Sequence, residues 1–360
     1  MANQCEKMRK EYEDLKTLKS EFDLELEKAT TGAETPEQAK KALDKAKELK
    51  IELEKKRDAL REKLWPFESL PQKEIKEQYK SQKEIMERTG ILEKLSTGEM
   101  GIKGIDNKEY AFPTEQEIVK RMRENKETLK TKTEQGFNQL LVVPFGMKLD
   151  DLIEKYKQVI LKHHKQGKLL ATKENPSDPD KPLELDENEP VWAWEKYQGA
   201  DISGELVYFP KEFSQNHKGK TKQDILKEKG GFSILLIENL PNIPRKDKGK
   251  DIRGRKQLEA GKTPNQYLET LKTNPDCENE TGMTPEEQII YAIKHLEQTN
   301  QVIDDYFGKG SASYQLGTFF AADGYVPYAG WDRYARRAGL DGYDAEVSDS
   351  GDGVRGAVRV

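Results

Sequence analysis

Long apolar runs are absent from this chain of 360 residues, and cysteine is nearly absent. No stretch reaches the roughly 18 apolar residues that a membrane-spanning helix needs, and residues 1–16 lack the apolar core of an export signal. Cys5 lies in a helical pattern and Cys277 in a polar loop, so we expect no structural disulfide. These absences predict a soluble protein without membrane insertion, with the cytoplasm as its default location.

The chain also lacks a large excess of either charge. Its 61 basic and 66 acidic residues give a net charge of −5, which does not favour a nucleic-acid partner. Charged residues make up 35% and apolar residues 34% of the chain, where an average domain has roughly 25% and 45–50%. So polar a chain cannot bury itself as one globule, and we expect part of it to be solvated helix.

Residues 4–64 have the pattern of a helical hairpin. The pattern is interrupted at Thr30-Thr31-Gly32 and restarts at Thr35-Pro36-Glu37-Gln38, a capping box with proline at the first helical position. Apolar residues recur at helical spacing in both arms: Met8, Tyr12, Leu15, Leu18, Phe22, Leu43, Ala46, Leu49, Leu53, Leu60 and Leu64. Because these stripes are narrow, the arms are marginal alone. We expect them either to fold back on helices at 72–97 and 114–133 or, as the favoured alternative, to pair between chains as a homo-oligomer.

The next segments mix helix and strand signals. We expect a third helix at about 72–97, a loop or short hairpin at 96–113, and a helix at 114–133 that opens with a second capping box. An apolar strand follows at 140–145, and then an amphipathic helix at 149–164.

The sequence looks globular from Val191 onward, after a polar, proline-rich linker at 172–190. Apolar runs predict strands at 191–194, 206–209 and 232–237, and threonine caps predict helices that begin after Thr221, Thr263 and Thr284. The expected fold class is α+β. We divide the chain into a helical region (1–135), an α/β joining segment with linker (136–190) and a C-terminal domain (191–360).

The last 51 residues, 310–360, have a different composition, because lysine, asparagine and methionine are absent from them. Glycine, aspartate, tyrosine, serine and alanine replace them, which is the composition of antibody binding loops. The chain then closes with alternating Val354, Gly356, Val358 and Val360, which predicts a half-buried strand with Arg355 on its other face. This pattern predicts a binding surface held between rigid elements, with Trp331 and Leu340 as inward-facing scaffold.

Several of these residues resemble a known family. Tyr325-Val326-Pro327, Trp331, Arg336, Ala338, Leu340 and the ending at 353–360 are similar to the variable region of diversity-generating retroelement target proteins. The resemblance implies a C-terminal C-type-lectin-like domain of the formylglycine-generating-enzyme type, with its variable region at about 325–360. In that family an error-prone reverse transcriptase rewrites adenines, mostly in AAC or AAT codons, and the fixed third base excludes Lys, Gln, Glu, Met and Trp.

The resemblance implies that the residues reachable from such codons form the ligand-binding surface, and Glu346 is left out because it is not reachable. The partner would be a protein or surface ligand of unknown identity. The implied binding residues are Tyr328, Gly330, Asp332, Arg333, Tyr334, Ala335, Gly339, Asp341, Gly342, Tyr343, Asp344, Val347, Asp349, Gly351 and Asp352.

Other functions fit the sequence less well. Neither Asp341, Asp344 nor Asp349 begins a calcium loop of the EF-hand type, so we expect no metal. An enzyme of the related fold would need paired cysteines or a histidine cluster, whereas the C-terminal domain has only Cys277, His217 and His295. We therefore expect no catalysis and no cofactor. The alternative from another class is a helical adaptor, whose N-terminal arms recruit a partner or form an oligomer.

Overall fold

The computed structural model describes residues 2–33, 35–64, 72–173, 180–306 and 310–360. Within these residues the chain is a mixed α+β protein, as the composition of its segments predicted. It forms two compact units, Met1–Gln72 and Lys73–Val360. No helix in the described part of the chain is long and apolar enough to cross a membrane.

The first unit is the predicted helical hairpin. Helix α1 (Ala2–Thr30) packs along α2 (Pro36–Leu64), with Leu18, Ala46 and Leu60 buried between them. The side chains of Met8 and Leu64, which the sequence placed in the same stripes, lie outside the described residues. An ion pair of 3.1 Å between Lys45 Nζ and Glu25 also joins the two helices.

The second unit holds eight α-helices, two short 3-10 helices and sixteen strands among its described residues. The helices are α3 (Gln72–Arg88), α4 (Glu115–Glu124), α5 (Lys126–Glu134), α6 (Leu149–Lys165), α7 (Ala200–Ser203), α8 (Lys222–Lys229), α9 (Pro264–Thr273) and α10 (Pro285–Thr299). The first nine strands are β1 (Glu93–Lys94), β2 (Met100–Lys103), β3 (Glu109–Ala111), β4 (Gln139–Val143), β5 (Val191–Ala193), β6 (Leu206–Tyr208), β7 (Ser233–Ile237), β8 (Asp251–Ile252) and β9 (Arg255–Lys256). The remaining strands are β10 (Thr281–Gly282), β11 (Ala312–Tyr314), β12 (Thr318–Phe320), β13 (Tyr325–Asp332), β14 (Arg337–Asp344), β15 (Asp352–Val354) and β16 (Gly356–Arg359).

Two sheets dominate this unit. One has four antiparallel strands in the order β10-β16-β7-β4. The larger sheet follows the order β15-β11-β13-β12-β6, and the long hairpin of β13 and β14 extends it to β5. Smaller sheets are formed by β1-β2-β3 and β8-β9.

Helix α10 is buried along most of its length and packs against α6, β4 and β13. It begins where the sequence predicted, because Thr284 and Glu287 form a reciprocal capping box and Pro285 occupies the first turn. Its side chains include Lys294, whose Nζ donates to the Leu140 carbonyl oxygen at 2.6 Å. The helix therefore fixes the relation between the four-stranded sheet and the β13–β14 hairpin.

The end of the chain differs from the single half-buried strand that the alternation predicted. Strand β15 joins the larger sheet parallel to β11, whereas β16 pairs with β7 and β10 in the other sheet. Arg355, at the crossing between the sheets, is buried and pairs with both carboxylate oxygens of Asp304. Both faces of this segment are covered, so Arg355 faces the interior and not the solvent.

The sequence prediction placed some boundaries elsewhere. The third helix ends at Arg88 and not near residue 97, because Gly90 adopts a φ of 67° and Ile91 bonds back to the Met86 carbonyl. The helix expected at 114–133 is two helices that meet at Asn125.

The division into domains also differs. Strand β4, placed by sequence in a joining segment, is paired with β7 along its whole length. The chain divides into its two compact units after Gln72, whereas the sequence prediction divided it at 135 and 190. Of the linker expected at 172–190, residues 174–179 lie outside the described part of the chain.

Candidate functional site

A row of small residues crosses the larger sheet and leaves a depression in its surface. Gly339 of β14 lies opposite Gly330 of β13, and Trp192 of β5 lies beside Gly339. The register of β11 against β13 places Ala312 next to Gly330, and a Cβ built on Gly330 would lie 3.0 Å from that of Ala312. Gly339, Gly330 and Ala312 have no side chain larger than a methyl group. The surface of the sheet is therefore left open above these three residues.

The depression is a cleft of about 350 Å³, which we call the β13–β14 cleft. Tyr328 and Asp341 are directly opposite each other on β13 and β14 and line one side of the cleft. Asp332 and Arg337 are opposite each other in the same way and line the other side. Aromatic rings stand around it, from Trp192 and Tyr328 and also from Tyr306. Its size is in the range that ligand-binding pockets occupy, roughly 300–1,000 Å³.

The opposite face of the same hairpin is buried. Trp331 is 1% exposed and pairs across the ladder with Ala338, while Leu340 pairs with Ala329. Strand alternation accounts for this, because successive side chains point to opposite faces of a sheet. The expectation that Trp331 and Leu340 are scaffold is confirmed, and so is the burial of Val354 and Val358, whereas Val360 is half-buried.

A buried carboxylate fixes one wall of the cleft. Asp352 is buried beneath Tyr328 and Tyr314, accepting hydrogen bonds of 3.0 Å and 3.2 Å from their hydroxyl groups. Burial raises the pKa of Asp352 to about 6, against the hydrogen bond from Tyr328, which lowers it. The rings of Tyr314, Tyr328 and Tyr343 lie 5.3–5.7 Å apart by their centroids, so Tyr328 is held in an aromatic cluster.

A second wall is held in the same way. Tyr306 donates to Oδ1 of Asp349 at 2.9 Å, and burial raises the pKa of the Tyr306 hydroxyl to about 12. The guanidinium of Arg245 lies 5.9 Å from the ring centroid of Tyr306. Both tyrosines of the cleft therefore have their hydroxyl protons engaged by aspartates, and their oxygen lone pairs remain as acceptors.

The predicted binding residues fall into three groups. Six line the cleft: Tyr328, Gly330, Asp332, Ala335, Gly339 and Asp341. Five lie outside it at exposed or half-buried positions: Tyr334, Tyr343, Asp344, Val347 and Asp349. Four are tied into the interior: Arg333, Gly342, Gly351 and Asp352.

The last group does not fit the predicted surface. Asp352 is buried under its two tyrosines, and a Cβ on Gly342 would lie 2.5 Å from the ring of Trp194. A Cβ on Gly351 would lie 2.5 Å from both Tyr306 and Arg245. Neighbouring side chains already fill the space at these positions, so a larger residue at Gly342 or Gly351 requires those neighbours to move.

Arg333 is held in place by an ion pair with Asp305. Its Nε donates to Oδ1 of Asp305 at 2.7 Å, and its Nη2 bonds to the other carboxylate oxygen. The Asp305 side chain is completely buried, whereas that of Arg333 is 13% exposed. A bidentate pair of this kind is a structural contact, because removing Arg333 would take the bidentate ion-pair partner away from a buried carboxylate.

The cleft also uses residues that the sequence analysis did not select. Trp192 belongs to a predicted strand, but its place beside Gly339 depends on a parallel pairing between β5 and β14. Arg337 lies between the predicted binding residues Ala335 and Gly339 in the sequence, and its guanidinium lies over the Trp192 ring, 5.7 Å from the centroid. Tyr306 and Ala312 precede the variable segment, and nothing in the sequence marks them.

Metal ligands and reactive thiols are two further kinds of functional group. No group of three or more His, Cys, Asp or Glu is placed to hold a metal ion within the residues that the structure describes. Cys277 is a buried free thiol, and burial raises its pKa to about 11. Such a thiol is mostly protonated near neutral pH and is a poor nucleophile.

Comparison with known proteins found no match among protein-family models, among curated proteins or among solved structures.

Proposed function

We propose that this chain is a ligand-binding protein that recognises a macromolecular target through the β13–β14 cleft and the surface around it. The observation that carries the proposal is the row Trp192, Gly339, Gly330 and Ala312, which opens a cleft lined by six of the fifteen residues that the family resemblance implies for binding. The buried reverse face gives the hairpin the rigidity that a preorganised binding surface needs.

The proposed fold of the C-terminal part is the C-type-lectin type, and the proposed source of its surface residues is a diversity-generating retroelement. The motif at 353–360 supports this, as does a variable segment that forms two long antiparallel strands over a buried scaffold. Binding, and not catalysis, is the proposed role. A near-repeat of the DNA that encodes residues 325–360, next to a reverse transcriptase gene, is the genomic feature that this origin requires.

The binding role is tested by selecting a displayed random peptide library on the full chain, with counter-selection on the Gly339→Leu variant. A Cβ at Gly339 has no neighbour closer than 3.8 Å, so leucine fills the cleft without displacing the backbone. The matched control is Arg336→Ala, an exposed residue of the same hairpin that does not line the cleft.

We expect peptides that bind the wild-type chain and the Arg336→Ala control but bind Gly339→Leu at least about tenfold more weakly, a loss of about 1.4 kcal/mol. If every selected peptide binds the filled cleft as tightly as the open one, the cleft is not the binding site.

A second candidate role, an oligomerising helical adaptor, is favoured by the surface of the hairpin unit. Leu24 and Ile51 are 52% and 56% exposed, and Leu43 is also exposed. Apolar side chains at these positions would gain from burial against another copy. Light scattering on the full chain tests this, with Leu24→Ser/Ile51→Ser as the variant. A wild-type monomer at micromolar concentration removes this role and leaves the cleft proposal unaffected.

A further inference from the structure

The hydrogen-bonding groups that face the β13–β14 cleft are mainly acceptors. The hydroxyl groups of Tyr306 and Tyr328 already donate to Asp349 and Asp352, so only their oxygen lone pairs remain. Asp341 accepts one bond through Oδ1, from the Gly342 amide, and its carboxylate forms no ion pair with any described residue. A ligand that fits these groups must bring the hydrogen-bond donors.

The charges of the cleft point to the same conclusion. Asp332 and Asp341 both line it as carboxylates. The one basic side chain in the lining, Arg337, forms an ion pair with Glu189 and is half-buried. Within the part of the chain that the structure describes, the lining therefore has a negative excess, and a positively charged ligand group complements it.

The aromatic rings restrict the ligand further. Cations bind favourably over the faces of tyrosine and tryptophan, within about 6 Å of the ring centroid. The protein already uses this contact at the same place, since the guanidinium of Arg337 lies 5.7 Å from the centroid of Trp192. A guanidinium suits such a site better than an ammonium, because it is planar, weakly hydrated and able to contact a carboxylate with two N–H groups.

We propose that the β13–β14 cleft takes the guanidinium of an arginine side chain on the partner protein. Asp341 is the counter-ion and the rings of Tyr306 and Tyr328 are the faces against which it stacks. This assignment rests on the proposed binding function and deepens it by naming the chemistry of the ligand group. The volume of about 350 Å³ accommodates one long side chain together with the first atoms of its backbone.

The test uses the full chain and three small probes: the blocked amino acids N-acetyl-arginine methylamide, its citrulline analogue and its lysine analogue. Citrulline has nearly the shape of arginine but no charge. Binding is followed through the NMR signals of the tryptophan indoles, because Trp192 lines the site. For a ligand of this size we expect a dissociation constant of about 1–10 mM for the arginine probe.

The variants are Asp341→Asn, which removes the charge, Gly339→Leu, which fills the cleft, and Arg336→Ala as the control. We expect Asp341→Asn to weaken arginine binding about tenfold, Gly339→Leu to abolish it, and the control to leave it unchanged. Because an asparagine can keep the bond from the Gly342 amide, Asp341→Asn tests the charge without disturbing this part of β14.

The inference is overturned if citrulline or lysine binds as tightly as arginine, or if Asp341→Asn binds arginine like the wild-type chain. The library selection separates this failure from failure of the binding function. Cleft-dependent peptides without arginine overturn the assignment to arginine and leave the binding function intact. Cleft-dependent peptides with an arginine at one fixed position support both.

Discussion

The hydroxyl group of Tyr328 donates a hydrogen bond of 3.0 Å to Oδ1 of Asp352, and this bond joins a wall of the cleft to a buried carboxylate. Tyr314 donates to the other oxygen of Asp352 at 3.2 Å. The position of the Tyr328 ring therefore depends on a group whose pKa, about 6, lies close to physiological pH. The position of a cleft residue and the stability of the protein therefore both depend on the protonation state of Asp352.

Asp352→Asn is expected to change how stability depends on pH. The folded protein holds the Asp352 proton up to a pH of about 6, whereas the carboxyl of the unfolded chain has its ordinary pKa of 3.8. Between these values the folded state binds more protons, so this group's contribution to the free energy of unfolding falls as the pH rises from about 4 to 6. At about 1.4 kcal/mol per pKa unit the fall is up to about 3 kcal/mol.

The measurement is urea unfolding of the wild-type chain and of Asp352→Asn at several pH values from 4 to 7. Asparagine does not titrate, so the variant lacks the pH-dependent contribution of the Asp352 carboxyl group. The variant should therefore become more stable relative to the wild type as the pH rises. Asp344→Asn, at an exposed position of the same hairpin, is the control. A difference that stays constant across this pH range would contradict the prediction.

Two arginines of the same turn are expected to respond differently to truncation. Arg333→Ala leaves the Asp305 carboxylate buried without its bidentate partner, which should cost about 2–4 kcal/mol, since breaking a fully buried pair costs about 3–5 and Arg333 is partly exposed. Arg336 pairs with Glu184 at the surface, so Arg336→Ala should change the unfolding free energy by less than about 0.5 kcal/mol. Chemical denaturation measures the unfolding free energy of both variants. If Arg333→Ala loses no more stability than Arg336→Ala, other groups compensate Asp305 when Arg333 is removed.

Two glycines of β14 are expected to tolerate substitution differently. A Cβ at Gly339 meets nothing nearer than 3.8 Å, whereas a Cβ at Gly342 would lie 2.5 Å from the Trp194 ring. Gly339→Ala should therefore be nearly neutral, and Gly342→Ala should cost about 1–3 kcal/mol as the ring is displaced. Thermal melts of both variants measure this difference. If Gly342→Ala is the better tolerated, Trp194 moves aside easily and Gly342 rejoins the substitutable surface.

Much of the fold could be predicted from local patterns, because those patterns have local causes. The capping box at Thr284 and the threonine caps at Thr221 and Thr263 mark helix starts, and the structure has helices at all three. The family resemblance separated Tyr328 and Gly330 from the scaffold residue Trp331, and alternation along β13 is the structural reason for that division.

Contacts between distant segments could not be predicted in this way. Arg355 is buried because the chain changes sheets beside Asp304, and no pattern in residues 354–360 contains that information. Lys294 is buried in the apolar face of α10, and burial lowers its pKa to about 7, although a lysine in a helix usually indicates solvent. Trp192 reaches the cleft through strand pairing alone.

The last prediction concerns the two faces of the variable hairpin. Trp331 is 1% exposed on the buried face, so Trp331→Ala should cost about 3–5 kcal/mol through lost burial and the cavity that remains. Tyr334 is 84% exposed in the turn, and Tyr334→Ala should stay within about 0.5 kcal/mol of the wild type. Denaturant unfolding followed by circular dichroism gives both values under one set of conditions. Because both changes remove an aromatic ring from the same short segment, the contrast isolates burial, and a reversed ranking would mean that the scaffold face of this hairpin has been assigned to the wrong side.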